Sequence, residues 1–149
     1  RAGLRNPVVV SVKVQNKDTQ AVQKTPTSLD NTFLMCDADE KLPQLIAFLQ
    51  ERARDGHKVI AFFLTCAVVD YLAKVLPLVS DLPDAFPVVA LHGRMPQKRR
   101  VAAYKQFAAS KAGVLICTDV AARGIDIPGI DWIVQCDPPQ DPSFFVHRA

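Results

Sequence analysis

The feature that most limits what this chain can fold into is a repeated exchange of two hydrophobic periods. Short apolar runs rich in β-branched residues, Lys58 to Leu64 (K-V-I-A-F-F-L), Val88 to Leu91, Val114 to Cys117 and Trp132 to Cys136, have the length and composition of buried strands. Helical spacing separates them. Leu42, Leu45, Ile46 and Leu49 follow Asp39 and stop at Asp55-Gly56, where glycine suits a left-handed cap. Val68, Val69, Leu72, Val75 and Leu76 mark a second helix, closed by the Pro- and Asp-containing stretch from Pro77 to Pro87, and Val101, Tyr104 and Phe107 a third, opened by Pro96. Another helix is expected to begin at Asp141 to Pro142. Strand and helix in alternation imply βαβ crossovers, hence an α/β fold with a parallel sheet and helices on both faces. Val8 to Val14 and Thr32 to Cys36 are read as further strands, with residues 15–31 as a polar surface loop.

A chain of 149 residues holds one such core, and one domain over 1–149 is expected, with residues 1–7 as a linker. No apolar run approaches the ~20 residues that a membrane span requires, and the first residues carry no signal-peptide core. A soluble, intracellular protein is expected. Cys36, Cys66, Cys117 and Cys136 are far apart, form no C-x-x-C pair and read as buried free thiols rather than zinc ligands. The formal charge of +3 and a pI near 8.8 permit nucleic-acid binding without demanding it.

The position of the polar residues says more than their sum. Open α/β sheets bind ligands at the carboxyl ends of their strands. After the strand Val114 to Cys117 come Thr118, Asp119, Arg123, Gly124 and Asp126. Arg123 offers a fork of donors suited to phosphate, Thr118 a hydroxyl, Gly124 bare backbone and Asp126 a carboxylate that accepts from a ribose hydroxyl. These are the parts of a nucleotide or nucleic-acid site. The plainer alternative is an Asp119–Arg123 ion pair on one helical turn, capped by Gly124. After the strand Val88 to Leu91, the stretch H-G-R-M-P-Q-K-R-R opens a helix, so free backbone N–H groups lie beside four cations. A solvated basic helix face and a phosphate site are both compatible with that composition.

The ordered string T-D-V-A-A-R-G-I-D-I-P at 118–128 resembles motif V of the DEAD-box RNA helicases nearly letter for letter. His92-Gly93-Arg94-Met95-Pro96-Gln97-Lys98-Arg99-Arg100 is similar to the segment with which that family grips RNA phosphates, F-F-L-T-C at 62–66 is similar to motif IV, and His147-Arg148-Ala149 resembles the opening of motif VI, H-R-x-G-R-x-x-R. The resemblance implies a second RecA-like domain working with a first that supplies the phosphate loop and the acidic box; no G-x-x-x-x-G-K-[ST] occurs in this chain. By position, Thr65, Gly93, Gln97, Arg100, Thr118 and Arg123 inherit contacts to RNA, Gly124 and Asp126 contacts to the nucleotide, and His147 and Arg148 the start of the coupling between them. Leu64 stands where many members have asparagine.

The family implies ATP and Mg²⁺ as cofactors, both held mainly by the first domain, and RNA together with that first domain as partners of a monomeric helicase. The chain ends inside motif VI, so without the later arginines it is expected to hydrolyse no ATP alone. F-F-L-T-C-A-V-V-D-Y, H-G-R-M-P-Q-K and T-P-T-S-L-D-N look most like the branch acting in large ribosomal subunit assembly, which implies pre-ribosomal RNA and a nuclear or nucleolar location. A DNA translocase of the same superfamily would share the fold with different strand-end motifs. A nonenzymatic interaction module would keep the strands and lose the polar strand ends. Asp37-Ala38-Asp39-Glu40 reads as helix capping rather than as an acidic box.

Overall fold

The computed structural model describes residues 29–119, 127–139, 141 and 143–148. The chain divides into two units, Arg1–Thr32 and Phe33–Ala149. In the first only residues 29–32 are described, and they form no regular element. The expected strand Val8 to Val14, the linker and most of the polar loop lie outside the described residues.

In the second unit the described elements are α1 (Lys41–Asp55), β1 (Lys58–Phe62), α2 (Cys66–Val79), β2 (Val88–Leu91), α3 (Gln97–Ala109), β3 (Gly113–Cys117), β4 (Trp132–Gln135) and α4 (Ser143–Arg148). The strands form one sheet in the order β2-β3-β1-β4, and every pairing is parallel. Because strand side chains alternate, Val59 and Ala61 of β1 with Val114 and Ile116 of β3 face α1 and α2, where Leu45, Leu49, Val69, Leu72 and Leu76 meet them. Phe62, Leu115, Cys117, Val89 and Leu91 face the other way, onto Ala103 and Phe107 of α3. Helices therefore cover both faces, as the alternation requires. All five residues of β3 are buried, which explains its unbroken apolar run. Each large side chain buried in this way contributes about 1.5–3 kcal/mol.

Local signals account for most boundaries. Gly56 ends α1 with φ 73°, and the His57 N–H donates to the Arg52 carbonyl at 3.0 Å, closing the last turn. Thr65 caps α2 by accepting from the Val68 N–H at 3.2 Å. Pro96 is the residue just before α3 rather than its first helical residue.

Several expectations are corrected. Residues 32–36 are not a strand: Phe33, Leu34 and Met35 are exposed, and no described strand pairs with them. Apolar character alone does not make a strand without a neighbour to take its hydrogen bonds. Glu40 precedes α1 without a side-chain cap; its carboxylate instead accepts from the Asp37 N–H at 3.4 Å. Pro77 lies inside the last turn of α2, which runs on to Val79. On α3 the inner positions are Ala103 and Phe107, with Tyr104 half-buried and Val101 exposed. All four cysteines are free, but Cys36 is exposed. Burial pushes the thiols of Cys117 and Cys136 up to about 12, so both stay protonated and unreactive near neutral pH.

Candidate nucleic-acid interface

Parallel register carries the strand ends to one edge. Leu91, Cys117, Phe62 and Gln135 are aligned across the sheet, so His92, Thr118, Phe63 and Cys136 emerge side by side. The Phe63 N–H donates to the Cys117 carbonyl at 2.9 Å and the Thr118 N–H to the Leu91 carbonyl at 3.4 Å, extending the ladder past the strands.

At the end of β2 the chain turns, with the Met95 N–H donating to the His92 carbonyl at 3.2 Å, and exposes Gly93 and Arg94 before entering α3. Pro96 offers no side chain to cap the helix, and the first turn of α3 holds no acidic residue. Its N–H dipoles thus share the edge with Arg94, Lys98 and Arg99, all exposed, and with Arg100. Gln97 is exposed, and its Oε1 accepts from Arg100 Nη1 at 3.4 Å. The carboxylates nearby are committed elsewhere. Asp70 bonds His92 Nε2 at 2.9 Å, Asp119 bonds Arg148, and Asp137 accepts from Lys41 Nζ at 2.7 Å and the Leu64 N–H at 3.1 Å. Burial acts to raise the carboxyl of Asp137, but the Lys41 and Leu64 hydrogen bonds and the charges of Lys41 and Arg148 outweigh it and hold it below the ordinary range. The cations at the start of α3 are left without a carboxylate partner among these groups.

Among the described residues, the buried side-chain atoms lacking a hydrogen-bond partner are Arg52 Nε, His92 Nδ1, Arg100 Nε and Thr118 Oγ1. Three of them follow β2 or β3 at this one edge. Orphaned polar atoms are costly in a folded protein, and their clustering marks a place built for something other than packing.

Of the residues expected from sequence to form a site, Gly93, Gln97, Arg100, Thr118 and Thr65 are brought to this edge. Thr118 is enclosed, with only 5% of its surface exposed. Thr65 is exposed, and capping α2 uses a lone pair of its hydroxyl while leaving the O–H free to donate. Arg123, Gly124 and Asp126 lie outside the described residues, as does the side chain of His147. Arg148 turns inward: its guanidinium holds both carboxylate oxygens of Asp119, at 2.5 and 2.8 Å, and reaches Gln135 Oε1 at 3.0 Å and the Asp137 carbonyl at 2.8 Å. Asp119 therefore pairs with a residue far along the chain. Asp70, His92, Gln135 and Asp137 were not singled out by sequence. His92 stood within a quoted motif, but the residue that meets it from α2 carried no local signal.

A model of the helicase conserved C-terminal domain matches residues 38–149. The chain belongs to that family. It is 47% identical over 157 residues to the DEAD-box ATP-dependent RNA helicase 18 of Oryza sativa subsp. japonica, an alignment covering 100% of this chain and 24% of that protein. With the human ATP-dependent RNA helicase DDX55 it shares 46% identity over 149 residues, 100% of this chain and again 24% of the relative. The chain thus spans about a quarter of the length of the curated relatives it matches. The structure of Mss116p DEAD-box helicase domain 2 bound to an RNA duplex superposes with a TM-score of 0.63 at 24% identity, over 73% of this chain and 43% of that one. The parallel sheet with helices on both faces is accordingly the RecA-like fold of helicase domain 2, and the chain is a DEAD-box helicase C-terminal domain.

Proposed function

We propose that this domain holds the backbone of RNA along the carboxyl edge of its sheet and meets the outer side of ATP there, as one half of an ATP-dependent RNA helicase. The observation that carries the reading is the cluster of buried orphan atoms on His92, Arg100 and Thr118 beside cations that Asp70, Asp119 and Asp137, engaged elsewhere, do not neutralise. Phosphates supply the missing acceptors for Arg100 and for the open N–H groups of α3, and ribose and phosphate carry no sequence information, so recognition is sequence-blind. Gly93, Gln97, Arg100, Thr118, Thr65 and Arg123 form the RNA side. Gly124 and Asp126 form the nucleotide side, and motif VI, from His147 and Arg148 onward, joins the two.

ATP with Mg²⁺, held mainly by a first RecA-like domain, supplies the phosphoanhydride cleavage that drives opening and closing of the cleft. The carboxylates described at this edge suit that division, because Asp70, Asp119 and Asp137 are already engaged with protein cations and hydrogen bonds and are not arranged as metal ligands. This chain contributes the RNA grip and the ribose contact. Closure against the first domain would bend one strand of a duplex until it unpairs locally. The resemblance of F-F-L-T-C-A-V-V-D-Y, H-G-R-M-P-Q-K and T-P-T-S-L-D-N supports placing the helicase in large ribosomal subunit assembly, acting on pre-ribosomal RNA in the nucleus or nucleolus.

The test is the salt dependence of RNA affinity measured by fluorescence anisotropy with the 149-residue chain. Arg100→Ala and Arg123→Ala should each weaken binding and flatten the log–log salt slope by roughly one unit or less, the signature of one lost phosphate contact. Slopes equal to the parent's in both variants would place the RNA elsewhere.

A further inference from the structure

Arg148 occupies an unusual position for a residue that begins a ligand-coupling motif. Its side chain is 2% exposed. It makes four hydrogen bonds, to both oxygens of Asp119, to Gln135 Oε1 and to the Asp137 carbonyl, and its guanidinium carbon lies 4.8 Å from the ring centroid of Phe62. A guanidinium has five N–H donors, so little is left to offer a ligand. The groups it joins to α4 belong to four different places: Phe62 at the end of β1, Asp119 two residues beyond β3, Gln135 at the end of β4 and Asp137 two residues after that.

We infer that Arg148 is a positioning residue that acts through Asp119 and touches neither RNA nor nucleotide. Asp119 stands between Thr118 and the stretch that carries Arg123, Gly124 and Asp126, so whatever fixes its carboxylate fixes the direction in which the chain leaves β3. The bidentate geometry matters here: two parallel N–H···O bonds set an orientation, which a single charge contact does not. Gln135 and the Asp137 carbonyl in turn fix the guanidinium to β4, and the Phe62 ring supports its flat face. The inference rests on the RNA-binding reading given above only for its consequence, not for its geometry.

The experiment compares RNA affinity of the parent chain, Arg148→Lys, Arg123→Ala and the double variant, using a fluorescent single-stranded oligouridine. Lysine keeps the charge and loses the fork. Arg148→Lys should weaken binding about tenfold in the parent and clearly less in the Arg123→Ala background, because part of what the Asp119 pairing places is already gone there. Equal losses in both backgrounds, or no loss in either, would overturn the inference. Should Arg148→Lys fail to fold, Gln135→Leu removes one support while keeping the ion pair, and should show the same dependence on background with a loss of about fivefold or less. An absence of RNA binding by the parent chain would count against the proposed function alone. Amide hydrogen exchange then decides the inference: in Arg148→Lys, residues 116–119 should exchange faster while Val59 to Phe62 stay as protected as in the parent, and unchanged or uniformly raised exchange would refute it.

Discussion

Gly113→Ala should destabilise this domain far more than the same substitution at Gly56, although both glycines have positive φ. Gly113 opens the central strand β3 at φ 145°, and a Cβ built there would lie 2.9 Å from the Pro87 carbonyl oxygen, 3.0 Å from Pro87 Cγ and 3.1 Å from Pro87 Cδ. The backbone oxygen cannot simply swing aside, because it accepts from the Val114 N–H at 2.9 Å and so belongs to the entry of the β2–β3 ladder. Backbone strain at such a φ costs about 1–3 kcal/mol, and forcing extra volume into packed surroundings about 1–3 kcal/mol more. A total of about 2–6 kcal/mol follows. At Gly56, φ is 73° and nothing lies within 4 Å of the added carbon, so only the left-handed conformation is penalised, at about 1–2 kcal/mol. Urea unfolding followed by the fluorescence of Trp132, the one tryptophan, measures both. That indole lies 4.8 Å from Arg52 and edge-on to Phe48 at 5.5 Å, so loss of its surroundings reports unfolding. Equal destabilisation by the two substitutions would show that Pro87 yields freely and that the steric argument is wrong.

Acid should weaken the fold partly through Asp137, whose carboxyl is held below its ordinary value: the stabilisation is complete above the unfolded value of about 3.9 and is lost as pH falls through the lower folded one. Asp137→Asn should therefore lose less stability than the parent as pH falls below about 4, and parallel acid-unfolding curves would contradict this. In the longer helicase, Asp126→Ala should raise the ATP concentration needed for half-maximal activity roughly tenfold to a hundredfold, from one charge-assisted hydrogen bond of about 1.5–3 kcal/mol. Nucleotide-free RNA binding should be unaffected, and a loss there with unchanged ATP dependence would reverse the division of the motif into an RNA half and a ribose half.

The sheet was legible because its determinants are local. β-Branched runs buried on both faces give β1 and β3, and the cap at Gly56 is written in a single residue. What could not be read were properties set by neighbours distant in the chain. Phe33 to Met35 has the composition of a strand, yet no described strand pairs with it. Val101 fits a helical stripe that the fold rotates outward, since α3 turns Ala103 and Phe107 to the sheet and keeps Arg100 half-buried near the strand ends. Resemblance alone puts Arg148 at the start of a coupling motif and says nothing of its burial. Its burial depends on Asp119, Gln135 and Phe62, which only the fold brings together.

Assignment of RNA to the carboxyl edge of the sheet can be read from amide chemical shifts. On titrating a single-stranded oligouridine into the ¹⁵N-labelled chain, the largest shifts should fall at Gly93, Gln97, Arg100, Thr118 and Asp119, beyond the carboxyl ends of β2 and β3. His57, Asp131 and Trp132, at the opposite end of the strands, should stay in place. Shifts concentrated around Trp132 and His57, with the start of α3 silent, would contradict it.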